Sequence, residues 1–215
     1  MKPTIVIAIP RSGHNFIVDV LRSWTDRPLD VQGYENLMPE DFHSHKHNVT
    51  PGENYEVIVL VRDLLNWAAS WCKYSINQKF SEDSGKINEQ FKCWLLMALE
   101  ALGETNYIHG NKMVGYEEFV LAGEYRKIIC NYLGGRYTED ALNLVPNKGH
   151  GSSFDKLTFN GKGSEMKVTE RWKWFLTDQG KPFIKYLTQN SEILQYYYDT
   201  FLMKPNQRRF IESVL

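Results

Sequence analysis

Residues 4–16, Thr-Ile-Val-Ile-Ala-Ile-Pro-Arg-Ser-Gly-His-Asn-Phe, constrain this chain more than any other stretch. A β-branched apolar run stops at a small, basic, polar turn, and an amphipathic run with Phe16, Ile17, Val20, Leu21 and Trp24 follows. That order reads as strand, tight loop and helix N-terminus, the way α/β proteins build a cradle for phosphate. Gly13 lets the backbone approach an anion closely, and Arg11 adds a fork of donors that matches phosphate oxygens. No Gly-Lys-Ser/Thr closes the loop, so it is not a Walker A motif. The pattern points to a phosphate-bearing ligand without a nucleoside triphosphatase.

A chain of 215 residues, 42% apolar and 24% charged, suffices for one soluble globular domain, expected here over 1–215. The net charge of −1 argues against a broad nucleic-acid surface, so any anion site must be local. Three cysteines, Cys72, Cys93 and Cys130, are an odd number without CxxC spacing. They suggest neither a disulfide framework nor a zinc site, and a cytoplasmic location is expected. The apolar run Ile5–Ile9 is too short for a signal segment, and no stretch approaches the roughly 20 apolar residues that span a bilayer.

Strands at 4–9 and 57–61 are each followed by a helical pattern, at about 15–24 and from Leu64 to about Gln78. Asp83-Ser84-Gly85 breaks the second helix before a strongly periodic one with Phe91, Trp94, Leu95, Ala98 and Leu102. A short strand, 112–116, precedes a helix over about 124–133 that stops at Gly134-Gly135. Residues 147–165 read as a long loop, and helices holding 172–176, 183–187 and 193–201 close the chain. Strands alternating with helices imply a three-layer α/β/α fold with a mainly parallel central sheet. Its ligands bind at the carboxyl ends of the strands. Arg62 stands at such an end, after Val57-Ile-Val-Leu-Val, and Asn66 and Ser70 share one face of the following helix. Arg62 and Ser70 therefore form a second candidate anion site, the alternative being an Arg62–Asp63 surface pair.

These residues carry a resemblance. Pro10-Arg-Ser-Gly-His-Asn-Phe resembles the Pro-Lys/Arg-Ser-Gly-Thr-Thr-Trp loop of sulfotransferases that use 3′-phosphoadenosine 5′-phosphosulfate (PAPS). Val57–Ser70 is similar to that family's strand-Arg-Asp…Ser element, with the same eight-residue spacing from Arg to Ser. Met113–Val120 resembles its Tyr-Glu-Asp-Leu segment, Tyr132-Leu-Gly-Gly its Phe-Leu-Gly, and Gly151–Leu157 its His-Thr-Ser-Phe-x-x-Met. Gly161-Lys-Gly followed by Arg171-Trp-Lys-Trp-Phe-Leu-Thr resembles its Arg-Lys-Gly…Trp-Lys-x-x-Phe-Thr. The matches occur in family order across residues 4–177.

The resemblance implies a P-loop-like phosphosulfate-binding loop made of Arg11, Ser12, Gly13, His14, Asn15 and Phe16. It assigns Arg62 and Ser70 to the 3′-phosphate and Tyr116 to the adenine. Ser152, Ser153, Phe154, Lys162 and Gly163 would close over the nucleotide. His14-Asn15 replace the family's Thr-Thr, keeping hydrogen-bond donors. Phe16 replaces Trp, and Gly161 stands where the family has Arg.

Sulfuryl transfer needs cations over the leaving phosphate, a role for Arg11, and a base near neutrality, most often His. Residues 42–48, Phe-His-Ser-His-Lys-His-Asn, fall where the family has a Lys-x-His segment that supplies the base. His47 is preferred over His45 because it lies nearer the following strand. A His-x-His metal site is the rival reading of this cluster; no metal cofactor is expected. The expected function is a PAPS-dependent sulfotransferase acting on a small-molecule or carbohydrate acceptor. The alternatives are a kinase-like ATP phosphotransferase and a non-catalytic nucleotide-binding protein of the same fold. Tyr196-Tyr197-Tyr198 and the tryptophans read as packing, Glu117-Glu118 as a first-turn dipole pair, and Arg208-Arg209 as a solvated tail pair.

Overall fold

The computed structural model describes residues 2–33, 55–77, 84–105, 112–147, 152, 154–201 and 204–215. β1 (Thr4–Ala8) is buried along its whole length, and β3 (Glu56–Val61) from Val57 onward. Continuous β-branched apolar runs are what strands covered on both faces require. β1 lies between β2 (Leu29–Gly33) and β3, β3 also pairs with β4 (Lys112–Gly115), and every pairing is parallel. The order is β2-β1-β3-β4.

Side-chain alternation along the strands feeds two separate apolar clusters. Ile5, Ile7, Val57, Val59 and Val61 pack with α2 (Leu64–Asn77), α3 (Ser84–Leu102) and helices near the C-terminus. Val6, Ala8, Ile58, Leu60 and Val114 pack with α1 (His14–Trp24), α4 (Tyr116–Leu121) and α5 (Gly123–Tyr132). Each fully buried Val, Leu, Ile or Phe is worth about 1.5–3 kcal/mol. Helices on both faces of a parallel sheet give the expected α/β class.

The differences from the sequence reading have local causes. β2 is only Leu-Asp-Val-Gln-Gly, too short and polar to show a strand pattern; it forms because β1 offers an open edge. The span Val168–Leu176 is a 3-10 helix, and α6 (Ile184–Gln189) and α7 (Ser191–Thr200) follow. Arg208-Arg209 lie on α8 (Pro205–Glu212), not on a tail. This helix buries Phe210 and Ile211 in the α2 cluster, and Arg208 Nε donates to the Tyr198 hydroxyl at 2.9 Å. The aromatic and cysteine readings hold: Trp67, Trp71, Trp94, Trp172, Trp174 and Tyr197 are core, and the three cysteines are buried and form no disulfide. Among the described residues no helix is long and apolar enough to cross a membrane.

Candidate functional site

Ligands of open parallel sheets bind beyond the strands' carboxyl ends, where the strand order reverses. Here the chain leaves β1 for β2 and returns past β1 to β3, so the reversal lies between β1 and β3. A solvent-connected cleft of about 720 Å³ opens there, lined by residues that follow both strands.

The β1 exit is a backbone structure. Arg11 has φ 68° and Gly13 φ 89°, two left-handed residues within three. A Cβ on Gly13 would stand 2.1 Å from Tyr116 Cε2, so this position demands glycine on both conformational and steric grounds. Ser12 turns inward: its side chain is buried and donates to the Ile9 carbonyl at 2.7 Å. Trp67 Nε1 holds the Pro10 carbonyl at 2.8 Å. His14, Asn15 and Phe16 form the first turn of α1 and line the cleft with Arg11 and Gly13. The opening N–H groups of a helix have no intrahelical acceptors, so this turn suits an anion. The Arg11 guanidinium lies 3.3 Å over the Tyr74 ring. Phe16 and Tyr116 meet edge to face at 6.5 Å and give the cleft an aromatic wall.

The β3 exit is a side-chain structure. Arg62 is 1% exposed yet lines the cleft. Its Nη1 donates to the Arg11 carbonyl at 2.9 Å and its Nη2 to the Val168 carbonyl at 3.2 Å. Trp94 Nε1 donates to the carbonyl of Arg62 itself at 2.7 Å. Its guanidinium lies 4.7 Å over the Tyr116 ring, and its Nε is 3.6 Å from Glu117 Oε1. The neighbouring Asp63 accepts from Asn66 N at 2.8 Å, capping α2, and from Gln207 and the Tyr197 hydroxyl. Arg62 is buried and its guanidinium bonds to two carbonyls, which a surface pair with Asp63 does not describe.

Burial, and then the Asp63 charge, push the Glu117 carboxyl up to about 7, against the pull of Arg62. Glu117 does stand in the first turn of α4, as its sequence suggested, but it also accepts from Asp63 N at 2.9 Å and reaches under Arg62. Burial likewise raises Asp63.

Other expected site residues divide into two groups. Tyr116, Ser152 and Gly163 line the cleft. Ser70, Phe154 and Lys162 are not among its lining residues: Ser70 is fully buried within α2, Phe154 lies beneath Lys73 and Arg171, and Lys162 is exposed. Asn66 shares the Ser70 face, and its Oδ1 accepts from Trp172 N at 3.1 Å, so that face packs on the 3-10 helix and not the crevice. Ser153, His45 and His47 lie outside the described residues.

Arg171 is the charged lining residue that sequence reasoning passed over, beside the apolar Val120, Val145, Pro146, Met166 and Val168. It lies within the quoted 171–177 segment, yet a single Arg before Trp-Lys-Trp gave no sign of burial. Its Nη2 donates to Ser152 Oγ at 2.7 Å and Asp155 Oδ2 at 2.8 Å, with the Phe154 ring at 5.0 Å. Burial and the Arg62 charge push it down to about 10, still a cation at neutral pH.

No protein-family model matches the chain, and no curated protein or solved structure does. What the cleft binds is therefore read from its own chemistry: three arginines, a helix start and two aromatic rings suit an aromatic ligand that carries phosphate.

Proposed function

We propose that this protein is a sulfotransferase that passes the sulfuryl group of PAPS to an acceptor hydroxyl or amine. The observation that carries the reading is the meeting, where the strand order reverses, of a small basic loop on a helix start with a buried arginine from the next strand. Two cationic positions contributed by two strands suit a nucleotide phosphorylated at two separate places better than a linear triphosphate.

The bound phosphosulfate supplies the sulfuryl group, and the chain's residues bind it, orient it and take the acceptor proton. Arg11 and the loop from Ser12 to Phe16 act as the P-loop-like cradle, stabilising charge on the leaving phosphate. Arg62, buried at the cleft wall, grips the 3′-phosphate. Phe16 and Tyr116 flank the adenine, and Ser152 and Gly163, which line the cleft, close over the nucleotide. His47, or else His45, takes the acceptor proton. Acceptors are small alcohols, phenols or carbohydrates.

Thermal melting with three nucleotides tests the reading. A ligand of the folded state at 100 times its dissociation constant adds about 2.7 kcal/mol. Adenosine 3′,5′-bisphosphate is expected to raise the melting temperature while ATP and AMP do little. Equal shifts with ATP favour a phosphotransferase and sink the PAPS assignment. With an acceptor found from a panel of phenols, alcohols and sugars, His47→Ala should slow turnover about 10²–10⁴-fold and leave bisphosphate binding intact. His45→Ala in parallel decides between the two histidines, and full activity in both removes the segment from the mechanism. Loss of activity in both, reproduced by a chelator on the parent protein, makes the cluster a metal site instead.

A further inference from the structure

We propose that Arg171 joins Arg62 to form a site for a phosphate dianion, and that Arg171 sets the preference of the cleft for a second phosphate group. The inference rests on the reading of the cleft as a nucleotide-phosphate site and adds a residue that reading did not contain. Arg62 and Arg171 come from distant segments, are 1% and 7% exposed, and both line the cleft. Arg171 keeps a buried Nε with no hydrogen-bond partner, and the Nε of Arg62 has Glu117 Oε1 only at the long distance of 3.6 Å. Leaving a donor of a buried charged group unmade is costly, and a ligand oxygen would satisfy it.

The charges around them do not balance. Arg11, Arg62 and Arg171 line one cleft, and Arg62 disfavours the charge on Arg171. Facing them, Asp155 pairs with Arg171 at 2.8 Å, Glu117 stands 3.6 Å from Arg62, and Asp63 also feels the Arg62 charge, while Lys73 adds a fourth cation beside Asp155 and Arg171. With its carboxyl lifted to about 7, Glu117 is only partly ionised at neutral pH. A wall with this excess of positive charge is completed by a dianion, and guanidinium forks match phosphate oxygens.

Both forks are held in place before any ligand arrives. Carbonyls of Arg11 and Val168 fix Arg62, and Ser152 and Asp155 fix Arg171. Val168 and Arg171 belong to the same 3-10 helix, so one short segment both anchors Arg62 and supplies the second cation. The groups that the sequence pattern suggests for such a role stand elsewhere, Ser70 buried in α2 and Lys162 exposed.

The test uses inorganic phosphate, adenosine 3′,5′-bisphosphate and AMP on the full chain at constant ionic strength. Phosphate is expected to raise the melting temperature of the parent protein. Arg171→Gln should abolish that shift and weaken the bisphosphate about 10- to 100-fold, the worth of one charge-assisted hydrogen-bonded contact, while AMP changes little. Arg171→Lys keeps the charge without the fork and should show a smaller loss of the same selectivity. A folded variant with parental bisphosphate affinity overturns the proposal, as does an equal loss for AMP. So does a parent protein that phosphate fails to stabilise, a result that needs no variant to fold. Stabilisation by phosphate, lost in Arg171→Gln, in a protein indifferent to the bisphosphate keeps the dianion site and removes the sulfotransferase reading.

Discussion

The β1 and β3 exits face the same cleft and are built in opposite ways. After β1 the chain shapes itself: two left-handed residues, an inward Ser12 and the start of α1 present backbone groups. After β3 a single side chain dominates, and Arg62 owes its position to the carbonyls of Arg11 and Val168, 51 and 106 residues away in sequence. The first exit is preorganised by conformation, the second by burial. Damage to the first should therefore show as strain, and damage to the second as lost charge and orphaned carbonyls.

The largest expected effect is at Arg62. Arg62→Ala leaves two carbonyls without their donor, at about 1–3 kcal/mol for each group that stays buried and unpaired. Urea unfolding should show that loss, and bisphosphate affinity should fall more than AMP affinity. A variant with parental stability and parental selectivity erases the contrast between the exits.

Gly13→Ala comes next. An alanine at φ 89° costs about 1–2 kcal/mol in backbone strain, and its Cβ would drive Tyr116 aside from 2.1 Å. Such overpacking adds about 1–3 kcal/mol. In the double variant Gly13→Ala/Tyr116→Ala the steric part should vanish and the strain remain, so a non-additive cycle sharpens the distinction. Strict additivity says that the two residues do not press on each other.

Glu117 links the exits to pH. Its folded value of about 7 lies above the ordinary 4.5, so the folded state binds the proton more tightly than the unfolded chain does. Stability therefore falls as pH rises from about 4.5 to 7 and levels off above that. With the carboxyl 22% exposed, the parent should lose about 2 kcal/mol relative to Glu117→Gln across that window, read by urea unfolding at a series of pH values. Asp63 titrates together with it, so the slope belongs to the pair. Parallel curves for the two proteins remove Glu117 from the titration. Bisphosphate binding should also weaken as pH rises through 7, because the ionised carboxylate competes with phosphate for Arg62.

The smallest effect is expected at Ser70. Buried in α2 and absent from the cleft wall, it should cost about 1 kcal/mol of stability as Ser70→Ala. The ratio of bisphosphate to AMP affinity should stay as in the parent. A drop in that ratio without a drop in stability returns Ser70 to the phosphate site.

Most of the frame was legible in the sequence because its signals are local. The runs at 4–8 and 57–61, the Pro-Arg-Ser-Gly turn, the Gly134-Gly135 stop and the alternation of strand and helix each depend on neighbouring residues. So did the place of Arg11, Gly13 and Arg62, since a parallel sheet puts the residues after its strands at one edge. β2 was not legible, because it carries no pattern of its own and forms against the edge of β1; α8 does carry a start signal, Pro205 in its first turn and Gln207 capping Lys204, that the sequence reading did not use. What holds for β2 holds for Arg171, which the sequence left without a role, and for Glu117, which read as a first-turn charge. Burial is a property of the packed fold, and it turned one into a cleft cation held by Ser152 and Asp155 and the other into a carboxyl near neutrality. The sequence by itself determined which loops would meet at the strand ends. Only the tertiary structure decided which side chains would be desolvated there, because desolvation depends on everything that packs around a group and not on its neighbours along the chain.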